Sequence, residues 1–203
     1  MAMLSFPDTE EKLRSTISAY EAEFEKEKKE HGAVRDDANK RYSLFSYCFL
    51  LDDLNKTRDY ITWYEFEFPD DMGEPIQKLC WSLSLYRMQQ LDEASRKLAE
   101  LMLSNVYFIP FILKEPVEEL DILYNSNFQS IDYIKNIPEA VKTNITESEL
   151  DWMMQLHNSF EFRLIKQRHV EIYEQLKYLE AESQRTLLTD EAETLLEILD
   201  EDY

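Results

Sequence analysis

Apolar residues recur at helical spacing along most of the chain, beginning in its first 35 positions. Intervals of three or four separate Leu13, Ile17, Tyr20 and Phe24. Residues at this spacing share one side of an α-helix. Asp8 or Thr9 can cap the start of that helix, and Gly32 is typical of its end. The pattern predicts an N-terminal capping helix within residues 1–35.

The same spacing predicts four more helices before residue 110. They cover about 36–51, 57–68, 75–88 and 92–104. The first of them is rich in aromatic residues, so we expect it to be buried on more than one side. Pro69 should end the second, because proline cannot continue a helix. From 111 to 145, prolines and polar turns interrupt the pattern, which predicts an irregular segment with short helices.

A long C-terminal helix is predicted from residue 146 to about 183, followed by a short acidic helix. Its start is marked by TESEL, in which Thr146 and Glu149 can form a capping box. Spacings of three and four then separate Phe162, Ile165, His169, Ile172, Leu176 and Leu179. This stripe is coiled-coil-like over two to three heptads. We expect it to pack onto the earlier helices. The alternative is a homodimer seam through Phe162, Ile165, Ile172, Leu176 and Leu179.

Composition supports an all-α fold. Only two glycines occur in 203 residues, which disfavours both a sheet with many tight turns and a glycine-rich phosphate loop. The formal charge is −20, so binding to nucleic acid or to an anionic membrane surface is not expected. The charge favours solubility, and alternatively attraction to a basic partner.

The two cysteines, Cys48 and Cys80, lie inside apolar runs without metal-ligand spacing. Buried free thiols in a reducing compartment are therefore expected. The first residues turn acidic quickly, unlike a secretory signal, and no apolar run approaches the length of a membrane span. The sequence predicts a cytoplasmic protein.

No catalytic motif is recognisable. The three histidines are His31, His157 and His169. They match neither an HExxH helix nor the repeated Glu-x-x-His pairs of a di-metal bundle. His169 lies in the apolar stripe and is expected to be a core residue. The chain is predicted to be no enzyme and to need no cofactor or metal.

The helices between 36 and 110 resemble a tetratricopeptide repeat, a 34-residue helix pair with small residues where its helices touch. The resemblance rests on Trp81 and Ser82 at its large-then-small pair and on Ala94 at the small position of the second helix. A preceding, degenerate unit has Phe45 where a small residue is usual. The resemblance implies antiparallel helix pairs flanked by extra helices, all within one domain, 1–203.

What the resemblance implies about function is a protein-protein interaction scaffold or adaptor. Its concave groove would be lined by the first helix of each pair, exposing Tyr42, Leu83, Tyr86 and Arg87. Arg87 would engage a carboxylate and Tyr86 would pack against a peptide. The competing interpretation is that Tyr86 is a core residue and Arg87 is merely solvated. A different function, an acidic inhibitor or mimic that binds a basic protein surface by charge, stays open.

Overall fold

The computed structural model describes residues 6, 7 and 9–200, except the side chain of residue 200. Every regular element in this part of the chain is a helix, which confirms the predicted all-α class. The α-helices are α1 (Glu10–His31), α2 (Lys40–Leu51), α3 (Leu54–Glu67), α4 (Pro75–Arg87), α5 (Leu91–Ser104), α6 (Phe108–Ile112), α7 (Glu139–Asn144), α8 (Glu147–His157), α9 (Phe160–Tyr178) and α10 (Glu182–Thr194). Short 3-10 helices cover Asn127–Gln129, Ile131–Asn136 and Leu195–Asp200.

Local capping signals were predicted correctly. The Thr9 hydroxyl accepts a hydrogen bond from the Lys12 backbone N–H at 3.3 Å, and Gly32 ends α1 with a φ of 77°. Asp8, the other predicted cap, lies outside the described residues. At α8 the backbone N–H of Glu149 donates to the Thr146 hydroxyl at 3.3 Å, and the Thr146 N–H donates to the Glu149 carboxylate at 2.7 Å. The predicted capping box is confirmed.

The prediction of one long helix from residue 146 is wrong, because the chain breaks it into α8, α9 and α10. At the first break the Asn158 side-chain amide donates to the carbonyl of Met154 at 2.9 Å. The next residue, Ser159, accepts from the Phe162 N–H at 3.3 Å and caps α9. Such side chains offer the backbone alternative hydrogen bonds, and they end one helix and start another.

The chain forms two compact units, where the sequence was interpreted as one domain. The first unit comprises Met1–Ala94 and Pro138–Ile145, and the second comprises Ser95–Ile137 and Thr146–Tyr203. Helix α5 begins in the first unit and continues in the second. The predicted irregular segment, 111–145, is likewise divided, with α7 in the first unit.

An aromatic cluster on α2, α3 and α4 forms the core of the first unit. The Phe45 ring lies 5.0 Å, centroid to centroid, from each of the rings of Tyr60, Tyr64 and Trp81. Helix α2 contacts α1, α3, α4 and α7, as its aromatic sequence predicts. Cys48 and Cys80 are free and buried here, and burial raises the pKa of each thiol to about 12. Thiols with such pKa values are unreactive near neutral pH.

The apolar stripe of α9 forms the core of the second unit. Its members Phe162, Ile165, Ile172 and Leu176 are all buried. Helix α9 contacts α8, α10 and the last 3-10 helix. The stripe is therefore covered by other parts of the same chain, as the interpretation of packing within the chain holds. The alternative of a homodimer seam would need surface that these side chains do not expose; only Leu179, just after α9, is partly exposed.

Candidate functional site

Tyr42, a residue predicted to be exposed, belongs instead to a polar cluster in the first unit. It is only 9 % exposed. Its hydroxyl donates to the Asp71 carboxylate at 2.6 Å and accepts from the Arg41 guanidinium at 2.8 Å. Burial and the bond to Asp71 raise the pKa of Tyr42. The predicted exposure is wrong because the side chain is held by charged neighbours within its own unit.

Leu83 has no exposed surface at all, so its predicted place on an open groove is also wrong. The physical reason is the composition of α4, which has few charged residues and is buried on nearly every side. A helix of this kind is enclosed by its neighbours.

Tyr86 and Arg87 are partly buried. The Arg87 guanidinium donates to the Asp52 carboxylate at 2.8 Å and to the Asn144 side chain and carbonyl, each at 3.1 Å. It also lies 4.2 Å from the centre of the Phe49 ring. These contacts hold α2, α4 and α7 together, so a partner carboxylate would have to displace Asp52 and Asn144.

One contact between α4 and α5 is of the kind that the repeat resemblance implies, a close approach of two helices at small residues. The Ser82 hydroxyl donates to the Ala94 carbonyl at 2.9 Å, and neither residue is exposed. Small side chains at both positions let α4 approach the first turn of α5. A single contact establishes no repeat, and the tetratricopeptide resemblance stays a prediction.

A groove of about 670 Å³ lies within the second unit. One side is built from the segment 106–120 and the other from α9, and we call it the α9 groove. It is lined by Val106, Tyr107, Pro110, Pro116, Val117, Glu118, Leu120, His157, Asn158, Arg163, Lys166, Gln167, Val170, Glu171 and Glu174. Its size is that of a typical ligand site, and its mixture of apolar surface with a few polar groups is also typical.

The segment that forms the first wall is fixed by tyrosine hydroxyls. The backbone N–H of Leu120 donates to the Tyr107 hydroxyl at 2.9 Å, and the Tyr124 hydroxyl donates to the Leu120 carbonyl at 3.1 Å. The two hydroxyls lie 2.6 Å apart. Farther along, the Leu123 N–H donates to the carbonyl of Tyr173 in α9 at 3.0 Å. The wall is thus held at its base and against α9, and the groove is preformed.

The second wall is the face of α9 opposite its core stripe. The groove residues of this face are Arg163, Lys166, Gln167, Val170 and Glu174, and each lies three or four positions from another of them. At 100° per residue they fall on one side of the helix. The buried stripe from Phe162 to Leu176 occupies the other side. The helix therefore contributes to the core and to the groove with separate faces.

Three ionisable groups meet at the end of the groove near the α8–α9 corner. His157 Nε2 lies 3.5 Å from the Glu115 carboxylate. Burial lowers the pKa of His157, the nearby charge of Lys166 lowers it further, and Glu115 opposes both. Burial also lowers the pKa of Lys166, again against the effect of Glu115. Among the described residues, the Lys166 amine forms no hydrogen bond or close ion pair, and the charge of Glu115 acts on it from farther away.

Charge changes sign along the groove. Arg163 and Lys166 lie near the start of α9, and Glu171 and Glu174 lie nearer its end. Glu171 lies 3.1 Å from Arg168, which it shares with Glu191, whereas Glu174 is exposed. At 1.5 Å per residue, the distance from Arg163 to Glu174 along the axis is about 16 Å. The groove thus has one end where Glu115 offsets part of the positive charge of Arg163 and Lys166, an apolar middle, and an anionic end.

His169 is a core residue, as predicted, and it belongs to neither wall of the groove. Its ring centroid lies 4.4 Å from that of Tyr173, and the side chain is 6 % exposed. Its Nδ1 atom has no hydrogen-bond partner among the described residues. An adjoining cavity of about 10 Å³ is at the lower limit for one water molecule.

The buried His169 should make the second unit less stable in mild acid. Burial lowers its pKa from 6.5 to about 4. As the pH falls below 6.5, the unfolded chain takes up a proton that the folded chain refuses until about pH 4. The free energy of unfolding should therefore decrease across this interval, by about 3 kcal/mol in total, since one pKa unit corresponds to about 1.4 kcal/mol. Urea unfolding at several pH values measures it.

The variant His169→Leu should lose much of this pH dependence, and His31→Gln, at an exposed site, should keep all of it. His157 acts in the same direction because burial lowers its pKa as well, so some dependence should persist in His169→Leu. An unchanged slope in His169→Leu would show that His169 is not the titrating group.

Among the described residues, no group of three or more His, Cys, Asp or Glu side chains is placed to hold a metal ion. None of the described helices is both long and apolar enough to cross a membrane. Comparison with models of known families, with curated protein sequences and with solved structures gave no match to the chain. The α9 groove is therefore the feature of the described residues that bears on function.

The hydrophobic pattern of the sequence did not indicate this groove. Its two walls come from segments about fifty residues apart, and the first of them was interpreted as irregular. One available signal was the second face of α9, where Arg163, Lys166 and Glu174 share a side with Val170. A helix with an apolar residue on its otherwise polar face has a candidate contact surface there.

Proposed function

We propose that the chain is a non-catalytic protein-interaction module whose working surface is the α9 groove. The observation that carries the proposal is the partly buried Lys166 amine, which forms no hydrogen bond among the described residues, beside a preformed groove with an apolar middle. The interaction class is the one that the sequence predicts, but the surface is different, because Tyr42 and Leu83 are buried. Two buried thiols suit a reducing compartment, so the proposal includes a cytoplasmic location.

Apolar surface supplies most of the affinity in such a site, and a few polar groups fix the orientation of the ligand. Pro110, Val117 and Val170 provide the apolar contacts, and Lys166 with Asn158 provides polar ones. The wall held by Tyr107 and Tyr124 needs no reordering on binding, and preorganisation of this kind favours affinity.

The proposal predicts that a carboxylate at Val170, on the α9 wall of the groove, abolishes partner binding. Val170→Asp places a charge in the apolar middle and, one turn from Lys166, also occupies that amine, and both effects disfavour the ligand. The matched control is Leu187→Asp on α10, since Leu187 is 69 % exposed and does not line the groove. Proteins captured from a lysate by the wild-type chain should be retained by the control and lost with Val170→Asp. Equal capture by all three, with equal thermal stability, would contradict the proposal.

A second candidate function is the acidic inhibitor or mimic. It is favoured by the excess of 42 acidic over 22 basic residues. Many of the basic side chains are already paired within the chain, as Lys28 is with Glu67 and Lys40 is with Glu23. Contacts of this type are screened by salt. A partner that leaves at a few hundred millimolar salt and ignores Val170→Asp would favour this function over the groove.

A further inference from the structure

The charge of the side chains that line the α9 groove changes sign from one end to the other, and this restricts which ligands can bind. Arg163 and Lys166 lie at one end, Glu118 and Glu174 are the exposed acids of its lining, and Val170 lies between Lys166 and Glu174 along α9. A ligand of a single charge would be attracted at one end and repelled at the other. A ligand with opposite charges at its two ends matches both.

The spacing of the opposite charges along the groove fits an extended chain. An extended chain rises about 3.3 Å per residue, so about five residues span the distance from Arg163 to Glu174. Side chains four positions apart then point the same way, and their separation of about 13 Å is close to the 12 Å between Lys166 and Glu174 along α9.

We propose that the α9 groove binds an extended segment of a partner protein that carries an acidic side chain at the Lys166 end and a basic side chain about four residues away, with apolar residues between. This inference rests on the proposed function and adds the chemistry and the direction of the ligand. Lys166 and Arg163 neutralise the acidic group, and Glu174 neutralises the basic group. Because α9 is rigid and asymmetric in charge, the segment can bind in one direction only.

The amine of Lys166 is the group on which discrimination depends. A carboxylate bound there would form a close ion pair with a partly buried ammonium that now has only the more distant charge of Glu115 beside it. A neutral ligand would remove water from the ammonium without adding an ion pair, so only Glu115 would offset that cost. The anionic end is more exposed, so Glu174 should contribute more to direction than to affinity.

The test is selection of peptides from a displayed library of random seven-residue segments on the immobilised full-length chain. The wild-type chain should enrich segments with Asp or Glu and Lys or Arg about four positions apart, always in the same order. The double variant Lys166→Glu/Glu174→Lys should enrich the opposite order. A selected wild-type peptide should bind the double variant at least about tenfold more weakly, and its charge-reversed version should recover that loss. Lys166→Glu places a second carboxylate near Glu115 and should lower the melting temperature, so both proteins are compared well below the melting transition of the double variant.

The outcomes separate the two proposals. Two outcomes would overturn the directional inference and leave the groove function intact, provided that the selected peptides are lost with Val170→Asp. In the first, the peptides carry no charge pair. In the second, their charge order is the same on the wild type and on the double variant. A selection that yields only peptides insensitive to Val170→Asp would overturn both.

Discussion

Replacing Arg41 with methionine should lower the free energy of unfolding of the first unit by about 3–5 kcal/mol, the usual cost of removing one partner of a buried ion pair. The Arg41 guanidinium donates to the Asp71 carboxylate at 2.5 Å and to the Asp36 carboxylate at 3.0 Å. The side chain of Asp36 is only 1 % exposed. Without Arg41, two carboxylates lose their counter-ion in a region from which water is largely excluded.

Each carboxylate has a further structural task, which is why both stay in place. Asp36 accepts from the backbone N–H groups of Lys40 and Arg41 at the start of α2. Asp71 accepts from the Tyr42 hydroxyl and from the Gly73 N–H. Burial acts to raise the pKa of Asp71, but these hydrogen bonds and Arg41 outweigh it and lower the pKa. The carboxylate is therefore ionised at neutral pH and needs its partner.

The matched control is Arg14→Met, which removes exposed ion pairs to Glu10 and Asp53 and should have a much smaller effect. Adding Asp71→Asn to Arg41→Met should recover part of the loss, because it removes one unpaired charge. Urea unfolding followed by tryptophan fluorescence measures all of these variants, since Trp63 and Trp81 lie in the first unit. Equal losses for Arg41→Met and Arg14→Met would show that the cluster is not effectively buried.

Replacing Phe45 with alanine should have an effect of similar size, about 3–5 kcal/mol. Phe45 is 1 % exposed, and its ring lies between those of Tyr60 and Trp81, each with its centroid 5.0 Å away. The variant loses the transfer free energy of the ring, leaves a cavity, and removes aromatic pairs worth about 1 kcal/mol each.

The control for Phe45 is leucine, which keeps most of the volume and should cost less than about 1.5 kcal/mol. The comparison also bears on the repeat resemblance, in which this position is usually small. If the first unit were built like that repeat, alanine would be tolerated here. Denaturant midpoints for Phe45→Ala and Phe45→Leu that differ little would contradict the aromatic-core account.

Features formed by residues close together in the sequence, such as helix caps, could be predicted from it. Contacts between residues far apart in the sequence could not. Thr9, Gly32 and the Thr146–Glu149 box act within one helical turn, so their roles follow from local spacing. The break after α8 is local too, but the apolar stripe of α9 masked the signal of Asn158 and Ser159.

The cluster around Arg41 joins residues 36, 41 and 71, and the α9 groove joins residues 106–120 to 157–174. No periodic pattern relates positions so far apart. For the same reason the resemblance to a repeat placed Leu83 on an open surface: spacing indicates which residues share a helix face, and only tertiary packing determines which faces are covered.

Where a partner touches the chain is the most direct test of the central claim. A photoreactive phenylalanine analogue placed at Gln167, on the groove wall, should crosslink to the bound partner, and the same analogue at Leu187 on α10 should not. The crosslinked partner peptide, identified by mass spectrometry, should contain an extended, apolar segment. Crosslinking at Leu187 with none at Gln167, at equal occupancy, would place the working surface elsewhere and contradict the account.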